Sequence, residues 1–512
     1  MKEYLKKILQ ARVYEVAKET PLERAKILSR RFANNIYLKR EDLQDVFSFK
    51  IRGAFNKMRN LSQDELRHGV ITSSAGNHAQ GVALSALKLK SKATILMPQT
   101  TPLVKVNAVR ELKAEVILFG ENYDDSYLEA LRLSKKRSLN FIHPFDDIDV
   151  IAGQGTIGIE IISQLGEAPD SVYVAVGGGG LIAGISCYIK NLWPNTKIIG
   201  VEPEDANAMT RSLKENKIVE LSSVGLFADG VAVKRVGKLT FDIAKKYVDK
   251  MITVNTDEIC AAIKDVFEDT RSILEPAGAL SIAGMKKDIA ESNLKKKDLV
   301  AIACGANMNF ERLRFVAERA ELGEYKETML AVEIPEKPGS LVNLCKLLNK
   351  RNLTEFSYRM SESKKAQIFI GIEVLDLQDK DKLIDEFAQS NYQFIDISND
   401  ELSKNHLRHM VGGRLPANFK KSNNESIELL YRFEFPERPG ALMNFLKNMK
   451  PDWSISIFHY RNHGADVGRI VIGVLINKNA LQEWFRFINE LGYKYWDESN
   501  NQTYKLFLGA ST

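Results

Sequence analysis

Between residues 50 and 309, short runs rich in Val and Ile alternate with stretches whose apolar positions recur every three or four residues. The runs GVITSS, ATILMP, AEVILF, SVYVAV, KIIGVE and LVAIAC each end in, or just before, Gly, Pro or Ser. Apolar runs without polar alternation predict strands buried on both faces, and the stretches between them, such as 81–89 and 181–190, predict helices. The expected fold class is α/β with mainly parallel sheets.

Beyond residue 321 the texture changes and the chain repeats itself. EIPEKPGSL from Glu333 returns as EFPERPGAL from Glu434, and Tyr358-Arg359 returns as Tyr460-Arg461. Ile370-Gly371 returns as Ile472-Gly473, and Ser398-Asn399 as Ser499-Asn500. Each copy reads as a βαββα unit, with helices over 341–348 and 442–448. Between the copies, SKNHLRHMVGGRLPANFKKSNNES is polar and bears Gly and Pro, which predicts a linker.

Composition sharpens this. A chain of 512 residues has room for roughly three or four domains. With 44% hydrophobic and 27% charged residues it is an ordinary globular protein. Its net charge of +6 forms no dense basic block, so nucleic acid is not an expected partner. Cys187, Cys260, Cys304 and Cys345 lie far apart, suggesting neither disulfides nor a zinc site, and a reducing compartment fits. The amino terminus MKEYLKKILQARVYE has no apolar signal core, and nowhere do 18 apolar residues run together. A soluble cytoplasmic protein without a membrane partner is expected.

Chemistry is carried first by SFKIRGA, residues 48–54. Lys50, between Phe49 and Ile51, is placed to be drawn into apolar surroundings, where loss of solvent lowers an amine's pKa towards nucleophilic, Schiff-base-forming chemistry. A lone surface lysine is the alternative. After the strand SVYVAV come Gly177, Gly178, Gly179 and Gly180 and then a helix from Leu181, an arrangement that suits a phosphate. Two other readings stand beside it: a structural turn, and a dinucleotide fingerprint formed by Gly178, Gly180 and Ala183 with Glu202 as the ribose acid. A second strand-to-helix turn, Ser74, Ala75, Gly76, Asn77 and His78, offers N–H groups to a substrate carboxylate, with Ser74 as a candidate helix cap. Cys304 ends a strand before a glycine, where packing is the plain explanation.

SFKIRGA, SSAGNHAQG, HPFDD, GQGT, VGGGGL and CGANMNF follow one another over about 270 residues. That order resembles pyridoxal-phosphate enzymes of the tryptophan-synthase-β-like fold, and within them the biosynthetic threonine ammonia-lyases. The resemblance implies a fold-type-II pyridoxal-phosphate catalytic domain followed by two α+β ACT-like regulatory subdomains. The boundaries drawn on it are 1–322, 328–400, a linker 401–427, and 428–512. It implies pyridoxal 5'-phosphate bound to Lys50, Asn77 on the cofactor's phenolic oxygen, residues 177–181 around its phosphate, and Cys304 facing its pyridine nitrogen. It further implies that residues 74–78 hold the carboxylate of L-threonine, with L-serine as a secondary substrate, and that Lys50 removes the Cα proton; Phe145, in HPFDD, is a candidate wall for the substrate methyl, with an ordinary core position as the equal alternative. The proton given to the leaving hydroxyl comes from Lys50, the cofactor phosphate or a water.

Serine racemases carry a second Ser where this chain has Ala75, which implies elimination over racemisation. They also bind a divalent cation with acidic groups, but Ala208 stands where a second carboxylate is needed, so no metal site is expected. The same resemblance implies isoleucine as inhibitor, valine as its opponent, a homotetramer, and a committed step towards isoleucine. Tyr358 and Tyr460 are candidate effector contacts, with simple packing as the alternative. Competing answers are a repeat that serves assembly alone, a sensor with a degenerate core, and a serine dehydratase, cysteine synthase or threonine synthase on the same scaffold.

Overall fold

A computed structural model describes residues 2–337, 339–348, 351–360, 365–405, 407–409, 426–436, 441–450, 453–461 and 467–501. The chain divides into two compact units, Met1–Gly323 and Glu324–Thr512.

The first unit holds two sheets. In the larger, six strands lie in the order Leu22–Arg24, Asn35–Arg40, Asp298–Ala303, Ser171–Ala175, Lys197–Pro203 and Lys250–Val254. All neighbours are parallel except the antiparallel edge pair Leu22–Arg24 with Asn35–Arg40. The smaller sheet runs Glu115–Leu118, Ala93–Met97, Val70–Ser73 and Asn140–Phe141, all parallel. The expected strands therefore form, but in two sheets, and Glu115–Leu118 is an edge with exposed ends rather than a strand buried on both faces. The strand over 35–40 was unexpected because its sequence NIYLKR is polar; Lys39 and Arg40 are nonetheless buried, each paired with carboxylates.

Helices cover both sheets, and three of them touch through glycines. A Cβ at Gly153 of the helix Ile148–Leu165 would lie 2.5 Å from Arg52 O of the helix Lys50–Arg59. One at Gly184 of the helix Gly180–Leu192 would lie 2.5 Å from Gly155 N. The apolar helix Ile148–Leu165 is thus the surface against which the Lys50 helix and the helix after the glycine turn are both set, backbone against backbone.

Each repeat in the second unit carries one strand more than expected, βαββαβ. The first runs Glu327–Pro335, Ser340–Leu348, Leu353–Arg359, Lys365–Glu373, Leu377–Ala388 and Gln393–Asp396. The second runs Ser426–Pro436, Ala441–Asn448, Ser454–Arg461, Val467–Asn477, Leu481–Leu491 and Lys494–Asp497. The added four-residue strands pair at the outer edges. One continuous eight-stranded antiparallel sheet results, joined where Leu353–Arg359 meets Ser454–Arg461. There Phe356 faces Tyr460 and Tyr358 faces Phe458, while Ser357 faces its own repeat equivalent His459. This reciprocity is that of a two-fold interface built within one chain.

Tyr358 and Tyr460 both lie in the apolar core of this unit, and Tyr358 Oη donates to Glu336 Oε1 at 2.6 Å. In the helix Leu481–Leu491, Trp484, Phe487 and Ile488 fall on one face at helical spacing and are buried. The first part of the stretch read as linker is folded, with a helix over Glu401–Asn405 and buried Arg408 paired to Glu355 at 2.9 Å. Its middle, 410–425, lies outside the described residues, as do Pro338, the second Pro-Gly turn and 502–512.

Candidate active site

Lys50 is the first residue of the helix Lys50–Arg59. The segment before it is tied to a strand end of the larger sheet: Phe49 N–H donates to Cys304 O at 3.3 Å, Ala306 N–H to Phe47 O at 2.9 Å, and Ser48 pairs with Gly305. From that fixed origin Lys50 Nζ reaches Pro144 O at 3.2 Å, in HPFDD. Burial pushes its amine down to about 8, although Cys304 and Glu275 oppose the shift.

Two helix ends open near these residues. Gly179 adopts φ +93°, which favours glycine, and the first N–H to close on that turn is Ala183, to Gly179 O at 3.0 Å. The preceding amides form the open, positive end of the helix Gly180–Leu192, into which Leu181 is buried. A Cβ at Gly178 would lie 2.2 Å from the Phe145 ring, so Phe145 is the floor under this turn and stacks edge-on to His143 at 4.8 Å. At the second turn the helix Asn77–Leu89 is capped by Gly76 and not by Ser74; Ser74 Oγ instead accepts from Gly76 N–H at 3.3 Å, tightening the turn. Ala75 lies between them, and Gly76 meets nothing where a Cβ would stand.

The side chains beyond that turn are specific. Asn77 Nδ2 donates to Glu275 Oε1 at 2.5 Å, and Asn77 Oδ1 accepts from Asn307 Nδ2 at 2.6 Å. His78 is buried with Nε2 3.0 Å from Ile142 O, and burial pushes it down to about 3, so the ring is neutral. Cys304 Sγ donates to Ala277 O at 3.3 Å, and burial raises its pKa, keeping it a thiol. Lys50, Asn77, Cys304, Phe145 and the glycine turn are linked by these contacts. Glu275 and Asn307 join them without having been singled out in the sequence.

Glu202 does not behave as a ribose-binding acid. Its carboxylate accepts from Met209 N–H and Thr210 N–H, each at 2.8 Å, and from Thr210 Oγ1, fixing the start of the helix Ala208–Glu215. The dinucleotide fingerprint therefore lacks its acid.

These residues fit a phosphorylated aldehyde cofactor. They include an amine displaced towards its neutral form, a glycine turn with open amides at a helix end, and an amide and a thiol held in fixed directions.

Comparison with known proteins points to the same class of cofactor. The profile of the pyridoxal-phosphate dependent enzymes matches residues 13–305, and that of the C-terminal regulatory domain of threonine dehydratase matches residues 318–407 and 420–508. The biosynthetic L-threonine dehydratase of Burkholderia multivorans is 53% identical over 99% of this chain and 99% of its own. That of Escherichia coli is 47% identical over 99% and 97%. The solved structure of the processed form of threonine deaminase isoform 2 from Solanum lycopersicum is 53% identical, with a TM-score of 0.62 over 62% of this chain and 88% of that one. Among the described residues no helix is long and apolar enough to cross a membrane.

Proposed function

Because this chain belongs to the biosynthetic threonine dehydratases, pyridoxal-phosphate-dependent lyases with a C-terminal regulatory domain, we propose that it converts L-threonine to 2-oxobutanoate and ammonia through Lys50. The single observation that carries this reading is the Lys50 amine, pushed down to about 8 at a helix start tied to Cys304.

Lys50 would hold the cofactor covalently, the amides of residues 177–181 its phosphate, and Asn77 its phenolic oxygen. Cys304 would face the pyridine nitrogen. As a neutral thiol it cannot keep that nitrogen protonated, which favours elimination over transamination. When bound, pyridoxal phosphate supplies the electron sink for charge developing at the substrate's Cα. The N–H groups of Ala75, Asn77 and His78 fix the substrate carboxylate at the open end of the helix Asn77–Leu89, those of Ser74 and Gly76 being held by Leu96 O and Ser74 Oγ. Lys50 Nζ takes the Cα proton, and its depressed pKa makes the neutral base available near pH 8. Ala75 offers no second acid or base for returning a proton on the other face, so product is a keto acid and not the Cα epimer, D-allo-threonine. L-serine is a secondary substrate, set apart by one methyl worth only about 1–3 kcal/mol.

Neutral amine is the form that attacks an aldehyde. The rate at which the cofactor-free chain takes up pyridoxal phosphate therefore rises with pH and is half-maximal near the Lys50 value of about 8. Stopped-flow absorbance from about pH 6 to about pH 9 measures it; a rate flat over that range contradicts the placement of the amine.

The regulatory unit senses isoleucine as inhibitor and valine as its opponent, in a cytoplasmic homotetramer. Its internal two-fold supports this: a ligand that prefers one arrangement of two equivalent halves shifts the equilibrium between arrangements. The test is keto-acid formation from L-threonine followed with and without isoleucine. Steady 2-oxobutanoate production that isoleucine suppresses and valine restores is expected. Turnover indifferent to isoleucine rejects the regulatory reading, and absence of keto acid rejects the catalytic one.

A further inference from the structure

Asn77 is gripped at both ends of its amide. Asn307 gives one Nδ2 hydrogen to Asn77 Oδ1 at 2.6 Å and the other to Val46 O at 2.8 Å, so its own orientation is settled. Asn77 in turn gives one Nδ2 hydrogen to Glu275 Oε1 at 2.5 Å. An amide nitrogen has two hydrogens, and the second remains for another acceptor. Without the grip, the amide's two ends could exchange places and present an oxygen where a donor is needed.

Glu275 is built into this place by the backbone. It precedes the helix Pro276–Ser292, its N–H donates to Gly305 O at 3.1 Å, and its O accepts from Ala279 N–H at 3.1 Å. A Cβ at Gly305 would lie 2.4 Å from its Oε1, so the strand end after Cys304 leaves room for this carboxyl only because it is glycine. Burial pushes the carboxyl up to about 7, with the Asn77 hydrogen bond opposing. The titratable groups that bear on it are Asp229, Lys105 and Arg312 together with Lys50 and the neutral Cys304 thiol, and Asp229 pairs with Lys105 at 2.6 Å. Charged or neutral, its Oε1 accepts from an amide.

We infer that Glu275 is a positioning residue that, with Asn307, fixes the Asn77 amide so that its second Nδ2–H is free for the phenolic oxygen of bound pyridoxal phosphate. This rests on the reading of Asn77 as a cofactor contact. Glu275 touches Asn77 and not the reacting atoms, so its effect passes through that side chain.

The experiment titrates cofactor-free protein with pyridoxal phosphate and records dissociation constant and absorption maximum for the unmodified chain, Glu275→Ala, Glu275→Gln, Asn77→Ala and the double variant Glu275→Ala/Asn77→Ala. Glu275→Ala weakens cofactor binding about tenfold and shifts the absorption maximum, as loss of one directed hydrogen bond requires. Glu275→Gln, which keeps the shape and the acceptor, recovers most of the affinity. The double variant binds no more weakly than Asn77→Ala alone, because both changes remove the same contact. Effects that add in full overturn the inference, as does normal binding by Glu275→Ala beside a weakened Asn77→Ala. Normal binding by Asn77→Ala overturns the reading of Asn77 and this inference with it.

Discussion

Lys50→Ala loses threonine turnover by about four orders of magnitude, the contribution of a positioned base in the rate-determining proton transfer. That is a barrier raised by about 5.5 kcal/mol. The variant also loses the absorption band of the covalently held cofactor, while the neighbouring amides still bind its phosphate weakly. Loss of activity through unfolding is not expected. The folded amine sits at about 8, below its ordinary value of 10.5, so below pH 8 the buried ammonium lowers the stability of the folded chain. This penalty fades as pH rises from 8 towards 10.5. Removing the amine relieves it, and the cofactor-free variant melts no lower than the cofactor-free parent at pH 7. Calorimetry beside the keto-acid assay separates the two effects, and a substantially lowered midpoint contradicts the account.

Arg52→Leu has the largest effect on stability. Arg52 is wholly buried, with Nη2 2.7 Å from Glu41 Oε1 and Nη1 2.5 Å from Glu160 Oε1. Further donors converge on the same carboxylates: Lys39 on Glu160 at 2.6 Å, Tyr14 Oη on Glu160 at 2.9 Å, and Thr20 Oγ1 on Glu41 at 2.5 Å. Burial opposes the charge on Glu41, but Arg52 outweighs it and holds that carboxyl below its ordinary value. Leucine takes the guanidinium away from two buried carboxylates and leaves them Lys39 and neutral donors, at a cost of about 3–5 kcal/mol. The unfolding midpoint drops by about 5–10 °C, given how melting temperature scales with size. Because Glu41 titrates below its unfolded value, its stabilisation is present above pH 4.5 and is lost as pH falls through the lower folded value. The variant lacks it, so its acid unfolding begins at higher pH. Arg52→Lys keeps the charge but not the fork and falls between. Since Arg52 lies two positions after Lys50 on the same helix, cofactor affinity falls as well. Denaturation followed by circular dichroism between about pH 4 and about pH 7 measures both effects; an unchanged midpoint contradicts the network's role.

What could be read in the sequence was what depends on neighbours in the chain. The strands at 70–73, 93–97, 171–175, 197–203 and 298–303 are short apolar runs with turn residues behind them. Lys50 and the glycine turn announce themselves because their chemistry needs flanking apolar or glycine residues. The repeat shows in paired motifs, though QFID and KYWD, the four-residue strands that close each copy, are too short and polar to stand out. NIYLKR hid for a related reason: Lys39 and Arg40 are buried only because carboxylates from elsewhere in the fold neutralise them. The division into two sheets left no mark in the pattern, since parallel strands of either sheet look alike.

Glu275 and Asn307 were beyond reach for a different reason. Each meets Asn77 across 198 and 230 residues of chain respectively, and nothing local in Glu-Pro-Ala-Gly or Asn-Met-Asn distinguishes a helix start or strand end from a site. Phe145 likewise gained its place under Gly178 only when two loops met. Glu202 shows the converse. A spacing that matched a dinucleotide acid belongs to a carboxylate fully used by the helix it starts.

The measurement that bears most directly on the central claim is the site of covalent attachment. Holoprotein is reduced with borohydride, digested, and its phosphopyridoxyl peptide identified by mass spectrometry. The expected result is a single modified peptide spanning SFKIRGA with the label on Lys50. A label on any other lysine, or none in a protein that still turns over threonine, would contradict the account.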